Sequence, residues 1–262
     1  MYDFEYQRAT SVGDAISKHS AADDPRFLAG GMTLIPVLKQ RLDQPTDIVD
    51  LGDLEDMRGI SEEGGSIVIK AMTTHHTVNT SELVASKIPA LAYLAGTIGD
   101  KMVRNRGTIG GSLATNDPAA SYPSAVLALN ATIKTNSREI PADEFFLGMF
   151  DTALEDNELI ISVSFPIPDE AGYKHFPNPA SRYPIVGSFV AKTSSGVRVG
   201  ITGAGPCAFR ITEFEEALVG NYSADAIREI KVSDDGLNTD IHASAEYRAH
   251  LINVMTRRAI GE

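Results

Sequence analysis

Two short segments constrain this chain more than anything else in it: Ala29-Gly30-Gly31-Met32-Thr33-Leu34 and Thr108-Ile109-Gly110-Gly111-Ser112-Leu113. Each sets a glycine pair and a hydroxyl residue where a strand or turn hands over to the next element. Glycine lacks a Cβ, so it accepts positive φ and lets another backbone or a ligand come close. Successive main-chain N–H groups can then converge on a phosphate, and Thr33 or Ser112 can add a hydroxyl donor. Two such loops suit a ligand with two phosphates. Either loop alone reads more often as a plain tight turn. The chain has no G-x-G-x-x-G and no G-x-x-x-x-G-K-[ST], so Rossmann and P-loop nucleotide binding are both unsupported.

Around these loops the pattern is mixed. Val12 to Lys18 reads as a helix, Phe27 to Ala29 as a strand, Leu34 to Arg41 as a helix and Asp47 to Leu51 as a strand. Ser66 to Ala71 is a β-branched strand after the Gly64-Gly65 turn. Ile88, Leu91, Leu94, Ala95, Ile98 and Met102 recur at helical spacing, which predicts one helix across them. Asn116 or Asp117 as N-cap, with Pro118 at the first helical position, predicts a helix from Pro118 to Leu129. That start would set both polar side chains beside a ligand held at Gly110-Gly111. Strands follow at Ala131–Lys134 and Glu158–Phe165. Prolines crowd the stretch from Pro168 to Pro184, and the domain boundary is expected near residue 176. Beyond it come a hairpin around Ser194-Ser195-Gly196, a helix at Phe214–Leu218 and a closing helix from about Ser244.

A formal charge of -12 on 262 residues disfavours nucleic acid as a partner. With one cysteine, Cys207, the chain can form no internal disulfide and cannot supply the four thiolates of an iron–sulfur cluster. No apolar run approaches the ~20 residues of a membrane span, and the first residues lack a signal peptide's basic and apolar regions. A cytoplasmic location is the expectation.

The segment Ala29 to Pro36 resembles the first flavin-binding motif of the FAD-binding (medium) subunit in the carbon monoxide dehydrogenase and xanthine dehydrogenase family of molybdenum hydroxylases. The run Val103-Arg104-Asn105-Arg106-Gly107-Thr108-Ile109-Gly110-Gly111-Ser112-Leu113-Ala114 resembles its second motif, and Asn116-Asp117-Pro118-Ala119-Ala120 continues the match. Thr73-Thr74-His75, Pro179 to Tyr183 and Ala243 to Arg248 agree in the same order, so the resemblance spans essentially the whole chain. It implies an α+β protein: a two-lobed FAD-binding domain of the p-cresol methylhydroxylase type over residues 1–176, with lobes of about 1–57 and 58–176. A small C-terminal flavoprotein domain, an antiparallel sheet with helices, would cover 177–262. It also implies FAD as cofactor, gripped by Ala29, Gly30, Gly31, Met32, Thr33 and Leu34 and by Thr108, Gly110, Gly111 and Ser112. Asn116 and Asp117 would lie near its hydroxyls, the Ile160 backbone near the ring, and Tyr183 beside the isoalloxazine.

The implied activity is that of an oxidoreductase subunit, incomplete alone. A large molybdopterin-binding partner would oxidise the substrate, a small iron–sulfur partner would pass the electrons on, and FAD here would deliver them to an external acceptor. A dimer of heterotrimers is the implied assembly. Where relatives show His-Ser after the first glycine pair, this chain has Met32-Thr33, and where they show Tyr-x-Lys-Phe it has Tyr173-Lys174-His175-Phe176. Any cationic contact to the flavin from that stretch falls to Lys174 or His175. Two other readings stand beside this one: a self-sufficient flavin oxidoreductase of the same fold, and a scaffold that holds no flavin. His75-His76 lacks carboxylate or thiolate companions at ligand spacing, so no metal site is expected, and no catalytic residue is assigned. Arg104 and Arg106 read equally as phosphate contacts or as salt-bridge partners, and Cys207 as a small buried hydrophobe.

Overall fold

A computed structural model describes residues 1–261. The chain opens with β1 (Glu5–Arg8), α1 (Val12–Ser20), β2 (Pro25–Leu28), α2 (Leu34–Lys39) and β3 (Asp47–Asp50). The strands form a parallel sheet in the order β1-β3-β2. Ser11 starts α1 by accepting the Asp14 N–H at 3.1 Å, and Lys18 and His19 suit its negative end. Parallel strands need covered crossovers, which α1 and α2 supply, and ligands gather at the carboxyl ends of such strands. The first glycine pair follows the carboxyl end of β2 directly.

A second lobe is built on an antiparallel sheet, β4 (Ile60–Glu63), β5 (Ser66–Lys70), β10 (Ile160–Pro166), β6 (Thr132–Thr135) and β7 (Glu139–Pro141), in that spatial order. Between β5 and β6 run α3 (His75–Thr80), α4 (Glu82–Lys87), α5 (Pro89–Thr97), α6 (Lys101–Arg106), α7 (Ile109–Thr115) and α8 (Tyr122–Ala128). The helix expected across Ile88 to Met102 breaks in two. Gly99 takes a φ of +51°, Asp100 caps α6 by accepting the Val103 N–H at 2.9 Å, and Met102 is left 77% exposed. Arg104 locks the break by donating to the carbonyls of Ile98 at 2.9 Å and Gly99 at 3.0 Å.

The helix expected from Pro118 begins instead at Tyr122. Asp117 turns the chain, its side chain accepting the Ala119 N–H at 2.8 Å and its carbonyl the Ala120 N–H at 2.8 Å. Every residue of α8 is buried, as a helix apolar all round must be. The short α9 (Ala142–Phe145) leads into the hairpin β8 (Phe146–Gly148) and β9 (Asp151–Thr152).

The C-terminal sheet is antiparallel, in the order β11 (Glu170–Pro177), β12 (Pro184–Thr193), β13 (Gly196–Thr202), β14 (Phe209–Arg210). On it pack α10 (Thr212–Gly220) and α12 (Ala245–Ala259), with α11 (Ala224–Ile227) against those two helices. The proline-crowded stretch where the boundary was expected thus holds β11. Its apolar alternation is masked by Gly172 and by two flanking prolines, yet it pairs with β12 from Glu170 onward. Side chains of β12 point alternately to two cores: Phe189 and Ala191 join the flavin-side core, Val186 and Val190 the C-terminal one. Among the described residues no helix is long and apolar enough to cross a membrane.

Candidate functional site

One large cavity of about 580 Å³ opens between the lobes and the C-terminal sheet. That is within the ordinary range for a small-molecule or cofactor site, roughly 300–1,000 Å³. Of the residues singled out in the sequence, Ala29, Gly30, Gly31, Met32, Thr33, Leu34, Thr108, Gly110, Gly111, Ser112, Asp117, Ile160 and Tyr183 all line it. Asn116 and Lys174 do not. Asn116 is fully buried as the left-handed C-cap of α7 (φ +44°), and its amide donates to the carbonyls of Gly148 at 2.8 Å and Asp151 at 2.7 Å. It pins the 146–152 hairpin. The Lys174 ammonium sits 5.6 Å from the centre of the Tyr93 ring, and His175 stacks on Tyr173 at 5.5 Å. Neither residue faces the cavity wall.

The two glycine pairs play different parts. In the first loop, no acceptor among the described residues meets the N–H groups of Gly30, Gly31, Met32, Thr33 or Leu34. Gly31 takes a φ of +75°, and a Cβ on Gly30 would lie 2.7 Å from the carbonyl carbon of Arg106 and 2.9 Å from the Cα of Gly107. The loop is thus a row of unspent donors pressed against the start of the second motif. Groups of this kind need partners, and an anion is the natural one.

The second pair sits inside the first turn of α7, where the amides are already used. Ile109 donates to Thr73 O at 3.1 Å, Gly110 to Ala71 O at 2.9 Å, Gly111 to Thr108 Oγ1 at 3.2 Å and Ser112 to Thr108 O at 3.0 Å. Unlike those of the first loop, these amides have acceptors within the protein. Here glycine serves packing: a Cβ on Gly110 would lie 2.6 Å from that of Ala71. What the second motif offers a ligand is the Ser112 hydroxyl, which takes no partner among the described residues, and a smooth wall.

Other walls were not foreseen. His75 opens α3 and lines the cavity. It is 95% buried, its Nδ1 meets no partner, and its ring packs 5.4 Å from that of Tyr122. Burial, and secondarily the Arg104 guanidinium, hold it down to about 4, so it is neutral at pH 7. The unfolded chain takes up this proton near its ordinary value of 6.5 while the folded protein resists it. The neutral histidine's share of stability is therefore present above about pH 6.5 and is lost as pH falls toward 4, at ~1.4 kcal/mol per unit. Urea unfolding across that window should show this slope in the native protein. A His75→Gln variant that keeps the slope would assign it elsewhere.

Glu158 is buried and held down to about 2, first by Arg138, whose Nε lies 2.9 Å away, with Thr135 and Ser137 adding donors. This network anchors the start of β10, so Leu159 and Ile160 meet the cavity from a fixed backbone. At the mouth, Tyr183 is 45% exposed, and burial followed by the Asp117 charge pushes its phenol up. Its loop is tied to the α5–α6 break by Arg182, which donates to Gly99 O at 3.2 Å. Cys207 is half-buried and free, and burial raises its thiol.

Comparison with known proteins decides the family. Residues 2–168 match the model of the FAD binding domain in molybdopterin dehydrogenase, and 171–262 match the CO dehydrogenase flavoprotein C-terminal domain. The chain belongs to this family. It is 34% identical to the nicotine 6-hydroxylase medium subunit of Paenarthrobacter nicotinovorans over 98% of this chain and 96% of that one. It is 31% identical to the carbon monoxide dehydrogenase medium chain of Hydrogenophaga pseudoflava, again over 98% and 96%. The fold superposes on reconstituted CO dehydrogenase from Oligotropha carboxidovorans with a TM-score of 0.90 at 30% identity, covering 98% of this chain and 96% of that one. Quinoline 2-oxidoreductase from Pseudomonas putida 86 gives 0.89 at 29%, covering 98% and 95%.

The chain is thus an FAD-binding medium subunit of the molybdenum hydroxylase type, and its site suits that cofactor. A diphosphate needs hydrogen-bond donors, and the first loop has amides without partners among the described residues. A flavin needs apolar and aromatic walls, and Ile98, Val103, Ile160 and Tyr183 supply those.

Proposed function

We propose that this subunit is an electron relay: it holds FAD so that electrons from iron–sulfur clusters on a small partner enter the flavin and leave to an external acceptor. A large molybdopterin-binding partner would carry the substrate chemistry, within a cytoplasmic dimer of heterotrimers. The observation that carries this reading is the row of five amides at residues 30–34 without partners among the described residues, in a loop that lines the cavity together with Ser112. The single cysteine is consistent with it, because the clusters must then sit on another chain.

In this reading the amides of Gly30 to Leu34 and the hydroxyls of Thr33 and Ser112 hold the diphosphate. Ala29, Thr108, Gly110 and Gly111 shape the surface beneath it. Asp117 accepts from a sugar or ribityl hydroxyl, the Ile160 backbone lies along the ring, and Tyr183 covers one face. Asn116 acts at one remove, by fixing the end of α7. Bound there, FAD supplies two-electron storage with one-electron exchange. The chain itself binds, orients and shields. Its unit boundary is placed at about residue 169, ahead of the expected 176, because β11 already belongs to the C-terminal sheet.

The test is reduction of the flavin in the assembled complex. With the small cysteine-rich partner present, substrate should reduce the bound FAD. With this chain alone, no organic substrate should be turned over with oxygen or NAD(P)H. A flavin that stays oxidised while the complex consumes substrate overturns the relay. Turnover by the isolated chain would show a self-sufficient enzyme.

A further inference from the structure

The cavity wall carries a further feature outside both glycine-pair motifs. His19, at the last turn of α1, stacks on Phe27 of β2 with ring centroids 4.1 Å apart and planes 17° from parallel. Both residues line the cavity, with Pro25 beside them. The His19 Nδ1 lies 2.7 Å from Oδ1 of Asn157, a residue 138 positions away on the opposite lobe, which takes a φ of +64°. The ring is therefore held from two sides, and it lies on the seam between the lobes.

We propose that the His19–Phe27 pair, oriented by Asn157, is the subsite that recognises the adenine base of the cofactor and so selects a dinucleotide over a mononucleotide. The inference rests on the flavin reading above. Position comes first. Phe27 lies in β2 three residues before Gly30, and at ~3.3 Å per extended residue that is at most about 10 Å from the unspent amides. One ribose spans such a gap between a diphosphate and its base. FAD has a ring system on each side of its diphosphate, and the cavity wall holds aromatic side chains besides Tyr183, namely His19 and Phe27.

Chemistry comes second. A stacked pair is a flat, already ordered surface for a planar base. Because an amide oxygen only accepts, the bond to Asn157 places the imidazole proton on Nδ1. In the neutral ring Nε2 is then an acceptor, and it takes no partner among the described residues. An acceptor there fits the exocyclic amine of adenine and opposes the carbonyl oxygen of hypoxanthine or guanine.

The experiment uses the full chain, co-expressed with its partner subunits and stripped of flavin. FAD and FMN are titrated by fluorescence, with ADP and inosine diphosphate as competitors. His19→Ala should raise the FAD dissociation constant about tenfold or more, the scale of one base stack, and leave that for FMN within about twofold. His19→Phe keeps a ring and should recover most of the FAD affinity while losing the preference for ADP over inosine diphosphate. Circular dichroism of each variant checks the fold. An unchanged FAD-to-FMN ratio in His19→Ala, with the native protein binding FAD normally, refutes the subsite alone. Native protein that binds no FAD refutes the flavin reading and this inference together.

Discussion

Replacing Gly30 by alanine should abolish retention of FAD while the C-terminal unit stays folded. The added methyl carbon would overlap the Arg106 carbonyl oxygen and lie 2.7 Å from its carbon and 2.9 Å from the Cα of Gly107. All three are backbone atoms, so no side chain can turn aside. The loop must lift, and the five amides at 30–34 move with it. Each hydrogen bond to a charged group is worth ~1.5–3 kcal/mol. Misaligning two of them costs about 3 kcal/mol or more, roughly a hundredfold or greater loss of affinity. Stability should fall by a further ~1–3 kcal/mol from overpacking.

Gly111→Ala is the contrasting variant. Its methyl would meet Thr108 Oγ1 at 3.0 Å and the Ala29 Cβ at 3.5 Å, close but tolerable contacts, and its amide is spent on Thr108 in either case. FAD affinity should change less than about tenfold. Equal losses in the two variants would mean that the loops share the diphosphate evenly, against the hydrogen-bond pattern. Titration with FAD, monitored by flavin fluorescence, separates the outcomes.

The sequence made the two loops legible because their information is local: a glycine pair, a hydroxyl and an ordered set of flanking residues. It could not say which loop has amides to spare. That depends on the carbonyls of Ala71 and Thr73, brought in from the end of β5 by the fold. The same limit hid His19, whose partner Asn157 lies on the other lobe. Helical periodicity ran straight through Ile98-Gly99-Asp100, because a single left-handed glycine leaves the apolar spacing intact. The reverse happened at β11, where prolines at both ends outweighed the alternation between them. Asn116 and Asp117 were singled out together, but one step along the chain reverses direction at a C-cap, so one faces the cavity and the other the hairpin.

The second large effect lies where the two units meet. Gly200 of β13 lies against the backbone of α8, and a Cβ there would overlap Ser124 O, with the carbonyl carbon at 3.0 Å and the Ala128 N at 3.2 Å. Gly200→Val should therefore push α8 off the C-terminal sheet. The helix has no soft side to yield, being buried all round, so the cost is at the upper end of overpacking, ~3 kcal/mol. For a protein of this size that lowers the melting temperature by roughly 6–12 °C.

The disturbance should also reach the flavin site. Two residues along, Thr202 donates to the carbonyls of Pro118 at 3.1 Å and Ala120 at 2.6 Å, and Gly203 N donates to Pro118 O at 2.8 Å. These bonds hold the turn that presents Asp117 to the cavity. Because the C-terminal unit keeps a separate core of its own, calorimetry should resolve two transitions in the variant where the native protein gives one. FAD should shift chiefly the transition of the cavity-bearing lobes, which supply most of the wall, with Tyr183 the main contribution of the C-terminal unit. One unshifted transition with native FAD affinity would mean that the contact of Gly200 with Ser124 does not couple the units.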